Sequence, residues 1–268
     1  MRVILLTRNC PFQVFCANTL WRRGLLTSVI IEEGYSYPTG NSLKSHRVVT
    51  RNIRNVASIV RSRLGATLDY AKFYFNRDKY FGSQELHNKR LLQADYHALA
   101  ADLPAIVVRD VNSDQVENAI RESSPQIVLV FGTRLLKPAT FEGHSAKFVN
   151  MHWGWSPDYR GEGIVSALAL EGPAALGVTV HLISSKADAG AILYQSRPTV
   201  DPDDNFYSIG LKLTLLGIDL FAKAIETQRT MGELAAKPQD LSKGRLFDSK
   251  YMKSHPELYN KAWNALKA

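Results

Sequence analysis

Cysteine is scarce in this sequence. Cys10 and Cys16 are the only two, and no Cys/His cluster surrounds them. Their spacing fits no common zinc pattern, and one pair of thiols does not make the disulfide framework of a small secreted fold. Both read as buried apolar side chains in a reducing compartment. Long hydrophobic runs are missing too. The N-terminal run Val3-Ile-Leu-Leu6 is too short for the apolar region of a signal peptide or for a membrane span. A cytoplasmic chain with no membrane partner is therefore expected. No Gly-x-x-x-x-Gly-Lys-Ser/Thr loop cradles phosphates, and no serine stands in a Gly-x-Ser-x-Gly elbow. Those two absences remove the nucleotide-hydrolysing phosphate loop and the serine-nucleophile hydrolase from consideration.

Positive charge, by contrast, is in excess. There are 33 Lys and Arg against 25 Asp and Glu, a formal net charge of +8. Such a balance draws anionic partners by long-range attraction. Nucleic acid, nucleotide phosphates and polyanionic folates all qualify, and charge does not choose among them. The hydrophobic share of 45% is ordinary for a globular chain and sufficient for a sizeable core.

Along the chain, Val3 to Thr7 reads as a buried strand, Pro11 opens a helix reaching Leu20 to Arg23, and Ser28 to Ile31 reads as a second strand. Residues 33–100 interrupt this pattern. Between positions 41 and 95 there are eleven Lys/Arg and four Asp/Glu, interleaved with Tyr70, Phe73, Tyr74, Phe75, Tyr80 and Phe81. Arg51 to Leu64 suits a basic amphipathic helix. We read this stretch as a solvated helical insertion packing its aromatics on the main domain, in preference to a nucleic-acid platform.

Alternation resumes with strands at Ala105–Val108, Gln126–Phe131, Phe148–His152, Gly177–Ile183 and Ile192–Gln195. Helices are expected at Ser113–Glu122, with Ser113 as N-cap, at Ile164–Leu170 and at Asn205–Thr227. The order predicts an α/β fold, a Rossmann-like, mostly parallel sheet with helices on both faces. The domain is expected over 1–230, with the 33–100 insertion inside it. A short C-terminal extension, 231–268, ends in a helix from Pro256 to Lys267 and lies across the sheet domain.

Open parallel sheets form their sites where strands end. Asn150 and His152 fall at the end of one expected strand and, two apart, point to one face. A carboxamide NH2 can donate to a carbonyl oxygen that gains charge, and an imidazole beside it can move a proton near neutral pH. Asp188 lies in the loop Lys186-Ala-Asp-Ala-Gly190, where a carboxylate would orient a histidine and raise its basicity.

Four segments in order resemble the folate-dependent formyltransferase family. Asn150-Met-His152 followed by Pro157 resembles its Asn-x-His-x4-Pro signature, and Gly177-Val-Thr-Val-His181 its following strand. Asp188-Ala-Gly190 with Ile192-Leu193 resembles its Asp-x-Gly-x-Ile-Leu segment, and Phe131-Gly-Thr-Arg-Leu-Leu136 its folate pocket. The insertion and the tail stand outside the resemblance. It implies an enzyme using 10-formyltetrahydrofolate as formyl donor. It implies that Asn150 binds the formyl oxygen, His152 stabilises the oxyanion and assists proton transfer, and Asp188 pairs with His152 and orders a water. It also implies that Thr133, Arg134, Leu135 and Leu136, with Ala187 and Gly190, line the donor pocket. No metal is implied. Two features depart from the family: Trp153 and Trp155 flank the turn, and Ser184-Ser-Lys-Ala187 replaces an acidic segment. His181 matches a recurrent family position and reads as a satisfied structural histidine.

The acceptor is approached by elimination. Thr7-Arg-Asn-Cys-Pro11 lacks the Gly-rich loop of glycinamide ribonucleotide transformylases, and about forty residues after the last long helix are too few for an OB-type barrel. Pro157-Asp-Tyr-Arg-Gly161 resembles a turn of tRNA and sugar formyltransferases. A nucleotide-linked amino sugar is therefore favoured, as a small-molecule acceptor, and a homodimer is compatible with it. The alternatives are hydroxyornithine, glycinamide ribonucleotide, methionyl-tRNA, hydrolysis of formyl-folate, and a non-catalytic binding module.

Overall fold

A computed structural model describes residues 1–33, 96 and 98–268. The helix expected over Arg51 to Leu64 and the aromatic run from Tyr70 to Phe81 lie outside the described residues.

The sheet grows from short, nearly continuous apolar runs, the pattern of strands covered on both faces. Strands β1 (Val3–Arg8), β2 (Ser28–Glu32), β3 (Ala105–Val108), β4 (Ile127–Phe131), β5 (Lys147–His152), β7 (Val178–Leu182) and β8 (Ile192–Ser196) form it. Their spatial order is β3-β2-β1-β4-β5-β7-β8. The first five are mutually parallel. β7 runs antiparallel to both β5 and β8. The expected mostly parallel α/β sheet is what the chain forms.

Helices α1 (Pro11–Arg22), α2 (Asp114–Ser123), the short α3 (Pro138–Phe141), α4 (Gly163–Glu171) and α5 (Phe206–Met231) connect and cover the strands. Period-two alternation sorts the strand residues into two cores. Val3, Leu5, Val29, Leu129, Val149 and Met151 pack with Leu20 of α1, Leu168 of α4 and Phe221 of α5. Ile4, Leu6, Ile30, Val128, Val130 and Phe148 pack against Val116 and Ile120 of α2.

α5 starts at a capping box, with Asn205 accepting from the Tyr207 and Ser208 amides, and ends at Gly232 in the left-handed region (φ 75°). At α2 the N-cap falls on Ser113 as expected, but its side chain makes no capping bond. The Val116 and Glu117 amides go to the Ser113 carbonyl instead, and Asp114 and Glu117 supply negative charge to the first turn.

Two short strands went unread in the sequence, whereas the helix expected over Pro256 to Lys267 is present as Glu257–Lys267. The Gly/Pro-rich turn after His152 contains β6 (Tyr159–Gly161), which pairs with β9 (Arg245–Phe247) from the tail. The tail then forms α6 (Ser249–Ser254) and α7 (Glu257–Lys267), which packs on α4 and places Leu258, Ala262 and Leu266 in the larger core. Three-residue strands carry too little periodicity to be seen without their partner. Among the described residues no helix is long and apolar enough to cross a membrane.

Candidate active site

The reversal of direction at β7 builds the site. β5 and β7 are antiparallel, and Asn150 stands directly opposite His181 while His152 stands opposite Thr179. All four therefore share one face. Thr179 is buried and organises the loop beyond His152. Its hydroxyl donates to the Gly154 carbonyl at 2.7 Å and accepts from the Ser156 amide at 3.0 Å.

His152 is 7% exposed, and its Nε2 lies 2.7 Å from the Tyr159 carbonyl oxygen. A carbonyl only accepts, so Nε2 carries the proton and Nδ1 is the atom left for exchange. Nδ1 is 3.5 Å from Asp188 Oδ2. Gly154 permits this arrangement, because a Cβ there would meet both His152 Nε2 and the Tyr159 oxygen. A side chain at 154 would occupy the path of the hydrogen bond.

The same reasoning fixes His181. Its Nδ1 donates to the Leu182 carbonyl at 2.8 Å, which leaves Nε2 as an acceptor for Asn150 Nδ2 at 3.1 Å. Asn150 Nδ2 also reaches Asp188 Oδ1 at 3.4 Å. His181 is thus more than a satisfied strand histidine: it sets which end of the Asn150 amide faces Asp188. Its position opposite Asn150 in an antiparallel pair is visible only once the register is known.

Asp188 closes the group from the β7–β8 loop. Its Oδ2 accepts from the Gly161 amide at 3.0 Å, and its backbone is left-handed, with φ 49°. Burial pushes its carboxyl up, but the charge of His152 and the hydrogen bond and charge of His181, once these imidazoles are protonated, act with the Gly161 N–H to outweigh it and hold the carboxyl well below the usual range. Gly190, two residues on, packs so closely against the Leu182 carbonyl that no Cβ fits.

A cavity of about 370 Å³ opens onto these side chains. Asn150, His152 and Asp188 line it, as do Thr133, Arg134, Leu135, Leu136 and Ala187. Gly190 does not. It is buried, and its close contact with the Leu182 carbonyl shapes the turn.

Another part of the cavity lining is backed by a charge cluster that sequence reading missed. Glu32, 1% exposed at the end of β2, binds Arg8 Nε at 3.1 Å and Arg134 Nε at 2.5 Å, and accepts from the Val111 amide at 3.2 Å. One buried carboxylate thus joins the end of β1 to the loops after β3 and β4. Arg8 and Arg134 also line the cavity. Glu162, the N-cap of α4, lines it as well, and burial raises its carboxyl above the usual range against the Val165 and Ile164 amides. Among the described residues no group of three or more His, Cys, Asp or Glu is arranged to hold a metal ion.

With this geometry in place, the comparisons with known proteins agree on the fold. The chain is 29% identical over 145 residues to a methionyl-tRNA formyltransferase from Chlorobium chlorochromatii (strain CaD3), a match covering 53% of this chain and 45% of that protein. It therefore spans about half the length of the curated relatives it matches. A sugar N-formyltransferase structure from Shewanella sp FDAARGOS_354 superposes with TM-score 0.56 at 14% identity, covering 98% of this chain and 88% of that one. Glycinamide ribonucleotide transformylase 1 from Symbiobacterium toebii superposes with TM-score 0.54 at 14% identity, covering 90% and 94%. At such identities the superpositions speak for the fold alone. The family match itself spans residues 66–225. It starts within the stretch read as an insertion, so the expectation that this stretch stands outside the resemblance is corrected for residues 66–100. With more than half of its length matched, the chain belongs to the formyl transferase family.

Proposed function

We propose that this cavity transfers a formyl group from 10-formyltetrahydrofolate to a primary amine, and that the acceptor is a nucleotide-linked amino sugar. The observation that carries the transfer is the convergence of Asn150, His152 and Asp188 on one cavity wall, with His152 Nδ1 as the exchangeable atom. When bound, the donor supplies an activated formyl carbon on a nitrogen leaving group.

The residues present suit a pteridine. Thr133 to Leu136 and Lys186 to Asp188 line the cavity, with Leu136 buried and Leu135 62% exposed. Flat heterocycles with hydrogen-bonding edges are held by such walls. Arg8 and Arg134 add positive charge near an anionic tail.

Each side chain then has a task. Asn150 donates to the formyl oxygen, and its long 3.4 Å contact to Asp188 is the one released for this. His152 accepts the acceptor's proton at Nδ1 and returns it toward the leaving nitrogen. Asp188 faces that Nδ1 and stabilises the imidazolium.

For the acceptor, the loop Thr7 to Pro11 carries no glycine, which argues against glycinamide ribonucleotide, and the basic, aromatic stretch from 41 to 95 suits a nucleotide diphosphate. Methionyl-tRNA is the second reading, favoured by what the sequence relatives are named for. The test is an acceptor screen with 10-formyltetrahydrofolate, read by mass gain on amino-sugar nucleotides, hydroxyornithine, glycinamide ribonucleotide and methionyl-tRNA. Formylation of an amino-sugar nucleotide is expected. Formylation of methionyl-tRNA alone overturns the acceptor, and release of formate with every amine overturns the transfer.

A further inference from the structure

The tail beyond residue 225, where the family match ends, returns to the site. The Ile192 amide donates to the Lys237 carbonyl at 2.7 Å and the Lys237 amide to the Ile192 carbonyl at 2.8 Å, an antiparallel bridge at the start of β8. Two residues later, Gln239 Nε2 donates to the Asp188 carbonyl at 3.0 Å and to the Gly190 carbonyl at 2.6 Å. One side-chain NH2 therefore ties together the two carbonyls of the turn that carries Asp188.

The partners fix the orientation of this amide. Reversed, it would set Oε1 against two carbonyl oxygens. As it stands, Oε1 is buried without a hydrogen-bond partner. A buried polar atom without a partner is disfavoured, so the donor end alone accounts for the placement. What it holds is a turn in need of restraint. Asp188 is left-handed at φ 49°, a region that a residue with a side chain occupies when its surroundings impose it. Other restraints include the Gly161 amide, Asn150 Nδ2 and the two imidazoles on the carboxylate, and the Leu182 carbonyl against Gly190. Gln239 adds the hydrogen bonds to the two backbone carbonyls of the turn itself.

We propose that Gln239 is a positioning residue for formyl transfer: its NH2 holds the Asp188 turn so that the carboxylate faces His152 Nδ1. This rests on the function proposed above for the same site. It gives the C-terminal segment a part in the chemistry, although that segment lies outside the family match. The titratable groups around the carboxylate are His152 and His181 in contact, with Glu162, Lys186, Arg8 and Arg134 on the same cavity.

The test uses the full chain with Gln239→Met, which keeps the length and removes the donor, and Gln239→Glu, which offers only acceptors. Two readouts are taken: steady-state formyl transfer, and titration of the Asp188 carboxyl carbon by NMR. Loss of alignment predicts a fall in kcat of about ten- to a hundredfold, with the KM for the formyl donor changed by less than about threefold. The Asp188 carboxyl, depressed in the parent, should move up toward its ordinary value of about 3.9. A fall in kcat with the Asp188 titration unmoved, a shifted titration with kcat unchanged, or no change in either overturns the proposal. Should one variant fail to fold, the other decides. The carboxyl titration needs no turnover. A parent without formyl transfer would therefore overturn the function of the site, while the titration still reports whether Gln239 holds Asp188.

Discussion

The two walls of the cavity are built on different principles. On one, Asn150, His152, His181 and Asp188 lie 3.1 to 3.6 Å apart, drawn from two adjacent antiparallel strands and one loop. On the other, Glu32 gathers Arg8 and Arg134 from the ends of parallel strands. The first wall is made of proton-exchanging and hydrogen-bonding groups whose directions are fixed by backbone carbonyls. The second is made of permanent charges around a buried hub. An antiparallel pair sets residues directly opposite one another, so a small constellation can be assembled with little sequence. A parallel edge brings separate loops together and needs a long-range bond to fix them.

The comparison predicts different failures on the two sides. The largest is His152→Ala, which should lower turnover by about a hundredfold or more with donor binding retained. Comparable losses of turnover and donor binding would move His152 from the chemistry to the scaffold.

Asp188→Asn comes next, with a fall in kcat of about tenfold or more. It also makes a claim about pH. The native carboxyl is held below its unfolded value, so its contribution to stability is complete above the unfolded carboxylate range and is lost as pH falls through the native value. The parent should lose thermal stability on acidification below about pH 4, near the unfolded value, and Asp188→Asn should lose less over the same interval. Parallel melting-temperature curves for the two proteins would contradict the pairing.

Glu32→Gln sharpens the contrast from the charged wall. It weakens three bonds to one carboxylate and should destabilise the fold by about 1–3 kcal/mol in denaturant titrations. The KM for the donor should rise more than kcat falls, because Arg134 lines the cavity proposed to hold the donor. A kcat effect as large as that of Asp188→Asn would erase the distinction between the walls. The smallest effect is expected at Leu135, exposed at the cavity lip. Leu135→Ala should change stability by less than about 0.5 kcal/mol and weaken donor binding measurably by calorimetry.

The same contrast explains what could be read from the sequence. The sheet was legible because its strands are apolar runs with matching length, and Asn150 and His152 because a spacing of two puts both on one face. Thr133 to Leu136, Ala187 and Asp188 were legible through local segments of the family pattern. Glu32 was not, because its partners at 8, 111 and 134 share no local pattern with it. Gln239 and β9 were not, because a three-residue strand and a lone glutamine mean nothing until β6 and the Asp188 turn stand beside them. Gly190 was read as a residue that permits a tight turn, and its close contact with Leu182 fits that reading. The role of His181 depended on the β5–β7 register, and Gly154 on a hydrogen bond that runs through the space a side chain would fill.

The central claim is that Asn150, His152 and Asp188 pass a formyl group to an amine. The most direct measurement follows a carbon-13 label from the formyl group of 10-formyltetrahydrofolate into product, with the parent and His152→Ala run side by side on the acceptor that the screen selects. The account predicts labelled N-formyl product from the parent and a rate about a hundredfold or more lower from the variant at saturating donor. Label appearing only as free formate, or at equal rates on the amine from both proteins, would contradict it.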